Sequence, residues 1–520
     1  MKKFNIGIDI GGTNTDIVLI DEQDNIIFSC KMITTDPIDA GVETVMTQLF
    51  KNTEITPDQI TGVFIGSTHA VNVILRRKDL FKVGVIRISG KSGACIESCF
   101  GWPQDLKNAV FAGAEIVDGG YYCDAREISP LNKKQVMRSI KKISAAGAES
   151  FAVIGVYSPL NNAQELQVAK LIKEQLGVET SVCISSEVGG TGFVERENAA
   201  ILNAALKKCI QKGFSKLKNI VQKYGLACPI FITQNNGTII DIADALEFPI
   251  LTISAGPTNS FVGASKLADL QDAVIADIGG TSTDVGIVLD GFARRSLEST
   301  DIGGISLNFP MPDVLSVGIG GGSYITVNQN GDITIGPDSA GRNLKKEAQC
   351  FGGDALTLTD IAVCKKIITI EGADPNKVSC DQKIMPQVVD MVKEKLLSLK
   401  KIIAGKKHQV PLVLVGGGAS LFKNSEIADI CIIPDNADVA NAYGAALAEI
   451  SGIVDTVVNI DNRQEVLEKL IEQAKENAIQ NGAKKETLRV VDKQVIPFSY
   501  VPGNLARVKI TVVGKRSSRM

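Results

Sequence analysis

Apolar positions along the chain fall into two kinds of run. Short β-type runs occupy residues 4–10, 17–20, 83–88, 151–157, 273–278, 285–289 and 411–415, with another around Val63. Between them lie segments whose apolar residues recur at helical spacing, over 40–50, 70–77, 133–144, 163–175 and 439–450. Strands alternating with helices predict an α/β protein. The longest helical signal, 194–223, sets Ala199, Leu202, Leu206, Ile210 and Phe214 on one face, as a central connecting helix would. A looser, glycine-containing section over 90–130 and the elements after it read as an inserted subdomain. Past Asp461 a charged amphipathic helix at 464–480 and strand-like runs at 488–491 and 508–513 suggest a small α/β appendage or an oligomer contact. The expected organisation is an N-terminal lobe with its insert at 1–190, a second lobe at 191–455 and a C-terminal appendage at 456–520.

Two pairs of β-type runs share one turn. Ile8-Asp9-Ile10-Gly11-Gly12-Thr13-Asn14-Thr15-Asp16 and Ala276-Asp277-Ile278-Gly279-Gly280-Thr281-Ser282-Thr283-Asp284 repeat Asp, Gly, Gly, Thr, Thr and Asp at identical spacing. Each reads as a strand-turn-strand hairpin. Paired glycines permit positive φ and close backbone approach, so amide N–H groups can face an anion while threonine hydroxyls add donors and aspartates reach a cation. A hairpin turn needs Gly or Asn, but neither the flanking Asp nor the spaced Thr. The repetition therefore predicts two homologous lobes facing one ligand. A third element, the run 411–415 leading into Gly416-Gly417-Gly418-Ala419-Ser420, sets a glycine turn at a strand end. Backbone there can lie against a ring or phosphate, or let a helix pack closely.

Two rival nucleotide motifs fail. Gly84 and the Gly90-Lys91-Ser92 triplet are separated by five residues where a Walker loop requires four. Gly318-Ile319-Gly320-Gly321-Gly322-Ser323 lacks the last glycine of the dinucleotide fingerprint and a surrounding βαβ unit. At 520 residues and 44% hydrophobic content the chain can build two or more cores. A formal charge of −3 and a pI near 5.8 supply no basic field for nucleic acid. The apolar runs are too short and interrupted for a membrane span. The first hairpin begins directly after Met1-Lys2-Lys3, where a cleaved leader would remove a functional strand, so a cytoplasmic location is expected. Eleven scattered cysteines and two histidines, His69 and His408, favour buried thiols over a zinc site, and oxygen-ligated Mg²⁺ suits the acidic turns better.

Together the hairpins and the late glycine turn resemble the ATPase superfamily of actin, heat-shock chaperones and sugar kinases. The resemblance implies a duplicated, ribonuclease-H-like two-lobed ATPase core with an inserted subdomain. In that superfamily the hairpins grip phosphates from opposite lobes and the glycine turn lines the adenosine, so ATP with Mg²⁺ is the implied ligand. The intermediate motifs are more specific. Gly66-Ser67-Thr68-His69-Ala70-Val71-Asn72, Arg76-Arg77-Lys78, Ser186-Glu187-Val188, Arg196-Glu197, Gln234-Asn235-Asn236-Gly237, Ser254-Ala255-Gly256-Pro257, Gly336-Pro337-Asp338-Ser339-Ala340-Gly341 and Thr357-Leu358-Thr359-Asp360 follow one another in the order of the hydantoinase A/oxoprolinase family, which the chain resembles over most of its length.

That resemblance implies ATP-driven opening of a cyclic amide such as a hydantoin or 5-oxoproline, with ketone carboxylation in some relatives. Asp9 and Asp277 are then the candidates for Mg²⁺ or its waters. Gly11, Gly12, Thr13, Gly279, Gly280 and Thr281 are placed on phosphate with Thr15 and Thr283 beside them, and Gly416, Gly417, Gly418 and Ala419 on adenosine. Asp16 and Asp284 would hold metal water, act as bases or cap their turns; His69 is an acid–base candidate or a structural hydrogen-bonder. Asn72, Arg76, Arg77, Arg196 and Asn236 are candidate substrate ligands. Two departures leave the substrate open: the family's His-Gly-Thr-Thr stands as Ile65-Gly66-Ser67-Thr68, and its Asn-Gly-Gly as Asn236-Gly237-Thr238. The chain has no room for the hydantoinase B-like region of many relatives, so a separate partner subunit is expected, alongside homo-oligomerisation. The alternatives are a small-molecule kinase, the ATPase subunit of a carboxylase and a regulatory ATPase.

Overall fold

In the computed structural model, which describes residues 2–34, 38–190, 192–296, 300–307, 311–381, 383–407, 409–423, 425, 427–498 and 503–517, both hairpins form. Phe4–Ile10 pairs antiparallel with Asn14–Asp21, setting Asp9 opposite Asp16. Ala273–Ile278 pairs antiparallel with Thr283–Leu289, setting Asp277 opposite Asp284. The turns close alike: Gly11 N donates to Asn14 O at 3.0 Å and Gly279 N to Ser282 O at 2.9 Å. Directly opposed residues share a sheet face, so each lobe brings two carboxylates together near its turn.

Each hairpin is the centre of a sheet. The first is joined antiparallel by Ile26–Ile33 and parallel by Ile60–Ser67, and continues through Ile230–Thr233 and Thr238–Asp241. The second is joined parallel by Leu412–Val415. Sheet membership divides the chain differently from composition. Residues 230–241, assigned from sequence to the second lobe, are strands of the first sheet, and Glu449–Asn459, Leu505–Gly514 and Arg489–Pro497 extend that sheet to nine strands. Residues 449 and 450, expected to finish a helix, instead begin a strand. The helix Ala440–Leu447 ends at Ala448, whose backbone is extended, and the β-branched residues that follow favour a strand.

The insert is a subdomain with its own sheet, Phe111–Val117, Val83–Ile88, Ser150–Gly155 and Ser181–Ile184, and its own core around Ile86, Ile140, Val153 and Val168. The predicted central helix is Phe193–Lys223, whose Leu202, Leu206, Ile210 and Phe214 share a core with Ile8, Ile17 and Leu19 of the first hairpin. A second core joins Val274 and Leu414 to the helix Ile384–Ala404. The helices Ala255–Leu267 and Ala440–Leu447 cross between the lobes at glycines: a Cβ on Gly444 would stand 1.8 Å from Asn259 O, and one on Gly263 2.0 Å from Ala440 O. Among the described residues no helix is long and apolar enough to cross a membrane.

Candidate functional site

One row of the first sheet carries Asp9, Asp16 and Lys31 side by side, because Asp9 pairs with Asp16 and Asp16 with Lys31. Lys31 Nζ donates to Asp16 Oδ2 at 2.5 Å and to Asp438 O at 2.8 Å, tying the first lobe to the segment beyond the glycine turn. Asp9 and Asp16 are buried, and Oδ1 of each has no hydrogen-bond partner. Burial, then the charge of Asp16, holds the Asp9 carboxyl well above its usual range; Lys31 opposes this and Asp277 adds to it. Asp16 is also raised by burial, in spite of Lys31. Burial pushes Asp277 up to about 6, against the Ser260 hydroxyl beside it and with Asp284 adding repulsion. Asp284 is raised by burial while accepting from Ser316 Oγ at 2.5 Å.

The carboxylates of the two lobes thus feel one another's charge. Such a group resists ionisation until a cation arrives. The orphaned oxygen of Asp9, whose carboxyl feels the charge of Asp277, fits a divalent ion of the Mg²⁺ kind, which takes one or two carboxylates and completes its shell with phosphate and water. Among the described residues no three His, Cys, Asp or Glu side chains form a protein-only metal cage.

The turns face each other across the cleft: a Cβ on Gly280 would lie 4.0 Å from Thr13 Cγ2. From the second lobe Arg342 Nε donates to Gly12 O at 2.6 Å. Behind the first turn, Thr34 donates its N–H to Thr13 O (2.8 Å) and its hydroxyl to Gly11 O (3.0 Å), and Thr15 Oγ1 meets Thr34 Oγ1 at 3.0 Å. Thr283 Oγ1 donates to Ile319 O at 2.6 Å. Thr15 and Thr283 therefore brace their turns from behind, while Gly12 and Thr281 are exposed at the tips. The stretch 318–323 has a plain role here. Gly321 N and Gly322 N donate to Gly279 O and Gly280 O at 3.0 and 2.7 Å, and a Cβ on Gly320 would stand 2.7 Å from Thr281 N. Its glycines let one backbone strand lie under the second turn.

Gly416 brings the third element in. At φ +86°, a Cβ there would meet Asp277 Oδ1 at 2.1 Å, while Gly418 N donates to Ile278 O at 2.7 Å. Ala419 is buried, and Gly417 is exposed beside the Lys31 stem. Hairpins and glycine turn meet in one place.

Other candidates disperse. His69 opens the helix His69–Arg76, and its side chain lies outside the described residues. Asn72 and Arg76, on the same helix, line a cavity beside Gly11 and Gly12. Arg77 turns away to Asp105 and Ile74 O. Arg196 is fully buried and donates to Gly155 O, Ser185 Oγ and Gly190 O, tying the subdomain to the central helix. Asn236 caps its own turn, its Oδ1 accepting from Thr238 N and Oγ1. Sequence reasoning missed Lys31, Thr34, Arg342, the buried Asn259 and the half-buried Asn441, the last two with Oδ1 atoms that lack hydrogen-bond partners. Asn259 lies beside Asp9, since a Cβ on Gly66 would touch both. None of them left a motif in the sequence; Lys31 comes into register with Asp16 only through the pairing of the second and third strands.

Residues 5–176 match the hydantoinase/oxoprolinase N-terminal region and residues 196–396 match hydantoinase/oxoprolinase. The chain is 25% identical over 404 residues to the acetophenone carboxylase gamma subunit of Aromatoleum aromaticum, covering 69% of this chain and 52% of that protein. It is 24% identical over 378 residues to caprolactamase subunit alpha of Pseudomonas jessenii, covering 69% and 54%. The chain thus spans about half the length of these curated relatives. Among solved structures it is similar to the ATP-dependent caprolactamase from Pseudomonas jessenii, with a TM-score of 0.76 at 18% identity over 99% of this chain and 88% of that one. It is also similar to nucleotide-free acetone carboxylase, with a TM-score of 0.70 at 18% identity and the same coverage, 99% and 88%. At such identities the likeness establishes the fold alone, a two-lobed α/β architecture carrying an inserted subdomain. The two profile matches span more than half of the chain, which belongs to the hydantoinase/oxoprolinase family.

Proposed function

We propose that the chain is an ATP-dependent hydrolase, or the ATPase subunit of one, that opens a cyclic amide through a phosphorylated amide. The observation that carries this reading is the pair of matching turns, each with two carboxylates, facing one cleft. Backbone amides of Gly12 and Thr13 and of Gly280 and Thr281 hold phosphate from opposite sides, while those of Gly11 and Gly279 close the turns. Asp9 and Asp277 hold Mg²⁺ or its waters, and the ion supplies charge neutralisation at the phosphates. The 416–419 turn receives the adenosine. In the reaction the amide oxygen takes the γ-phosphoryl group and ADP leaves. A first water then adds to the activated carbon and the ring C–N bond breaks, freeing the amine and leaving an acyl phosphate, which a second water hydrolyses to the carboxylate and inorganic phosphate. An unstrained lactam resists direct hydrolysis through amide resonance, and O-phosphorylation removes that resistance. Positioning and electrostatics do most of the work in such transfers.

A second reading, the ATPase subunit of a carboxylase, is favoured by the relationship to the acetophenone carboxylase gamma subunit. Because these relatives are named as subunits, either reading includes a separate hydantoinase B-like partner subunit, and we place the assembly in the cytoplasm as a homo-oligomer of such units. Phosphate release from Mg·ATP, measured against hydantoins, lactams, sugars, and ketones with bicarbonate, tests both when products are weighed by mass spectrometry. A ring-opened, phosphate-free product supports the hydrolase. A carboxylated ketone moves the assignment to the second reading, and a product that keeps its phosphate identifies a kinase.

A further inference from the structure

The nine-stranded sheet is open along one side of an inner strand. Glu449–Asn459 pairs with Leu505–Gly514 from residue 450 to its end, but on its other side Thr238–Asp241 meets only residues 449 and 450. The strand then runs on past that neighbour. Ser451 O and Ile453 O accept from Asn481 Nδ2 at 2.8 Å and from Asn477 Nδ2 at 3.0 Å, so residues 451 and 453 turn their backbone polar groups to the open side. The period of two turns those of Asp455, Val457 and Asn459 the same way. Among the described residues no backbone group pairs with them. Two grooves of about 550 and 600 Å³ follow this edge and share Ile453 and Asn477. The wall of the second is apolar, with Val454 and Val458 of the strand beside Val466 and Leu470 of the helix Arg463–Gln480.

Unpaired N–H and C=O groups along a strand edge are a template for another strand. We propose that two copies of this chain pair antiparallel along residues 453–459, across a twofold axis at Thr456. The inference rests on the homo-oligomer reading and deepens it by naming the surface. With that axis Ile453 faces Asn459 of the second copy, and Asp455 faces Val457, in the hydrogen-bonded pairs. Val454 faces Val458 in the closer, non-hydrogen-bonded pairs, extending the apolar core that both already share with Leu470 and Ala474. The register is selective. Moving the axis to Asp455 would set that carboxylate against itself, which is destabilising, and moving it to Val457 would leave Ile453 without an opposite residue in the run. Charge follows the same axis: Asp241 and Asp244 flank the 451 end of the groove and Lys469 stands toward the 459 end. Antiparallel pairing turns the acidic end of each copy toward the basic end of the other. One surface used twice is what a twofold interface requires.

Analytical ultracentrifugation of the full chain over a concentration series tests this, and the wild type is expected to dimerise. Thr456→Lys and Thr456→Asp each set like charges together on the axis, and each should weaken self-association about tenfold or more. An equimolar mixture of the two should recover the dimer, which a misfolded variant could not do. Val457→Pro removes an N–H on the open side, a change that a strand edge tolerates; it should weaken the dimer while circular dichroism keeps the wild-type spectrum. A dimer that survives all three substitutions, or a mixture that recovers nothing, overturns this face and leaves the homo-oligomer reading standing. A wild-type chain that is monomeric throughout the series overturns both.

Discussion

Asp277 keeps its position against its own electrostatics. Burial moves its carboxyl from the ordinary 3.8 to about 6, so the folded chain holds that proton more tightly than the unfolded chain does. Between those two values the folded state binds more protons, and stability falls as pH rises through the window and stays lowered above it. A displacement of this size is worth on the order of 3 kcal/mol. In the metal-free protein Asp277→Asn should therefore unfold at higher urea than wild type at pH 8, by on the order of 1–3 kcal/mol, with the advantage shrinking toward pH 4. The same substitution should lower Mg·ATP turnover on the order of 10²-fold or more, as loss of an electrostatic stabiliser does. Urea titrations at both pH values with a phosphate-release assay check the two halves; a variant less stable at pH 8 and still active would contradict both. Lys31 works in the opposite sense. Removing it in Lys31→Ala leaves Asp16 buried without its cation, and the expected loss is about 1–3 kcal/mol at pH 8, below the usual cost of breaking a fully buried pair because Lys31 is partly exposed. That loss should narrow on acidification as Asp16 takes up a proton, and a pH-independent loss would point to packing of the lysine stem instead.

Between residue and lobe stand the crossing helices, where close approach is set by absent side chains. A Cβ on Gly444 would fall 1.8 Å from Asn259 O, whereas one on Gly256 of the facing helix meets nothing nearer than Asn441 Nδ2 at 3.6 Å. Gly444→Ala must push the helices apart and move Asn259 away from Asp9; a stability loss of about 1–3 kcal/mol or more is expected, with loss of turnover. Gly256→Ala should be neutral, or stabilising by up to about 1 kcal/mol through helix propensity. Thermal unfolding of the pair decides, and equal effects would mean that the crossing is looser than it stands. These glycines also show where sequence reading stops. The hairpins were legible because Asp, Gly, Gly, Thr and Asp sit within nine consecutive positions and repeat. The Asp9, Asp16 and Lys31 row was not, because no turn motif marks the strand Ile26–Ile33 that presents the lysine. Gly263 and Gly444 look like weak points of two helices until the contact across the chain is known. The stretch 318–323 resembled a poor dinucleotide loop because its glycines answer to backbone in another part of the chain.

At the scale of the whole molecule, polar links among the described residues join the lobes. Arg342 reaches Gly12 O, Lys31 reaches Asp438 O, and Arg295 ties the second lobe to the extended first sheet through Asp492 (3.3 Å) and Thr511 (3.0 Å). A ligand held by both turns adds its own free energy to these links. At a hundredfold excess over its dissociation constant it contributes about 2.7 kcal/mol. If the turns close on one nucleotide, each lobe needs the other, and the stabilisation by a Mg·ATP analogue should collapse in Asp9→Asn and equally in Asp277→Asn. Combining them should cost nothing further, because both single changes remove the same bound state. Two independent sites would behave differently, each single variant keeping roughly half of the shift and only the double losing all of it. Thermal shifts of the four proteins, taken with and without the analogue at fixed Mg²⁺, separate the outcomes. Because each shift is referred to the same variant without ligand, the stabilisation that Asp277→Asn gains from losing its buried charge cancels, and what remains reports whether the two copies of the turn act as halves of one site.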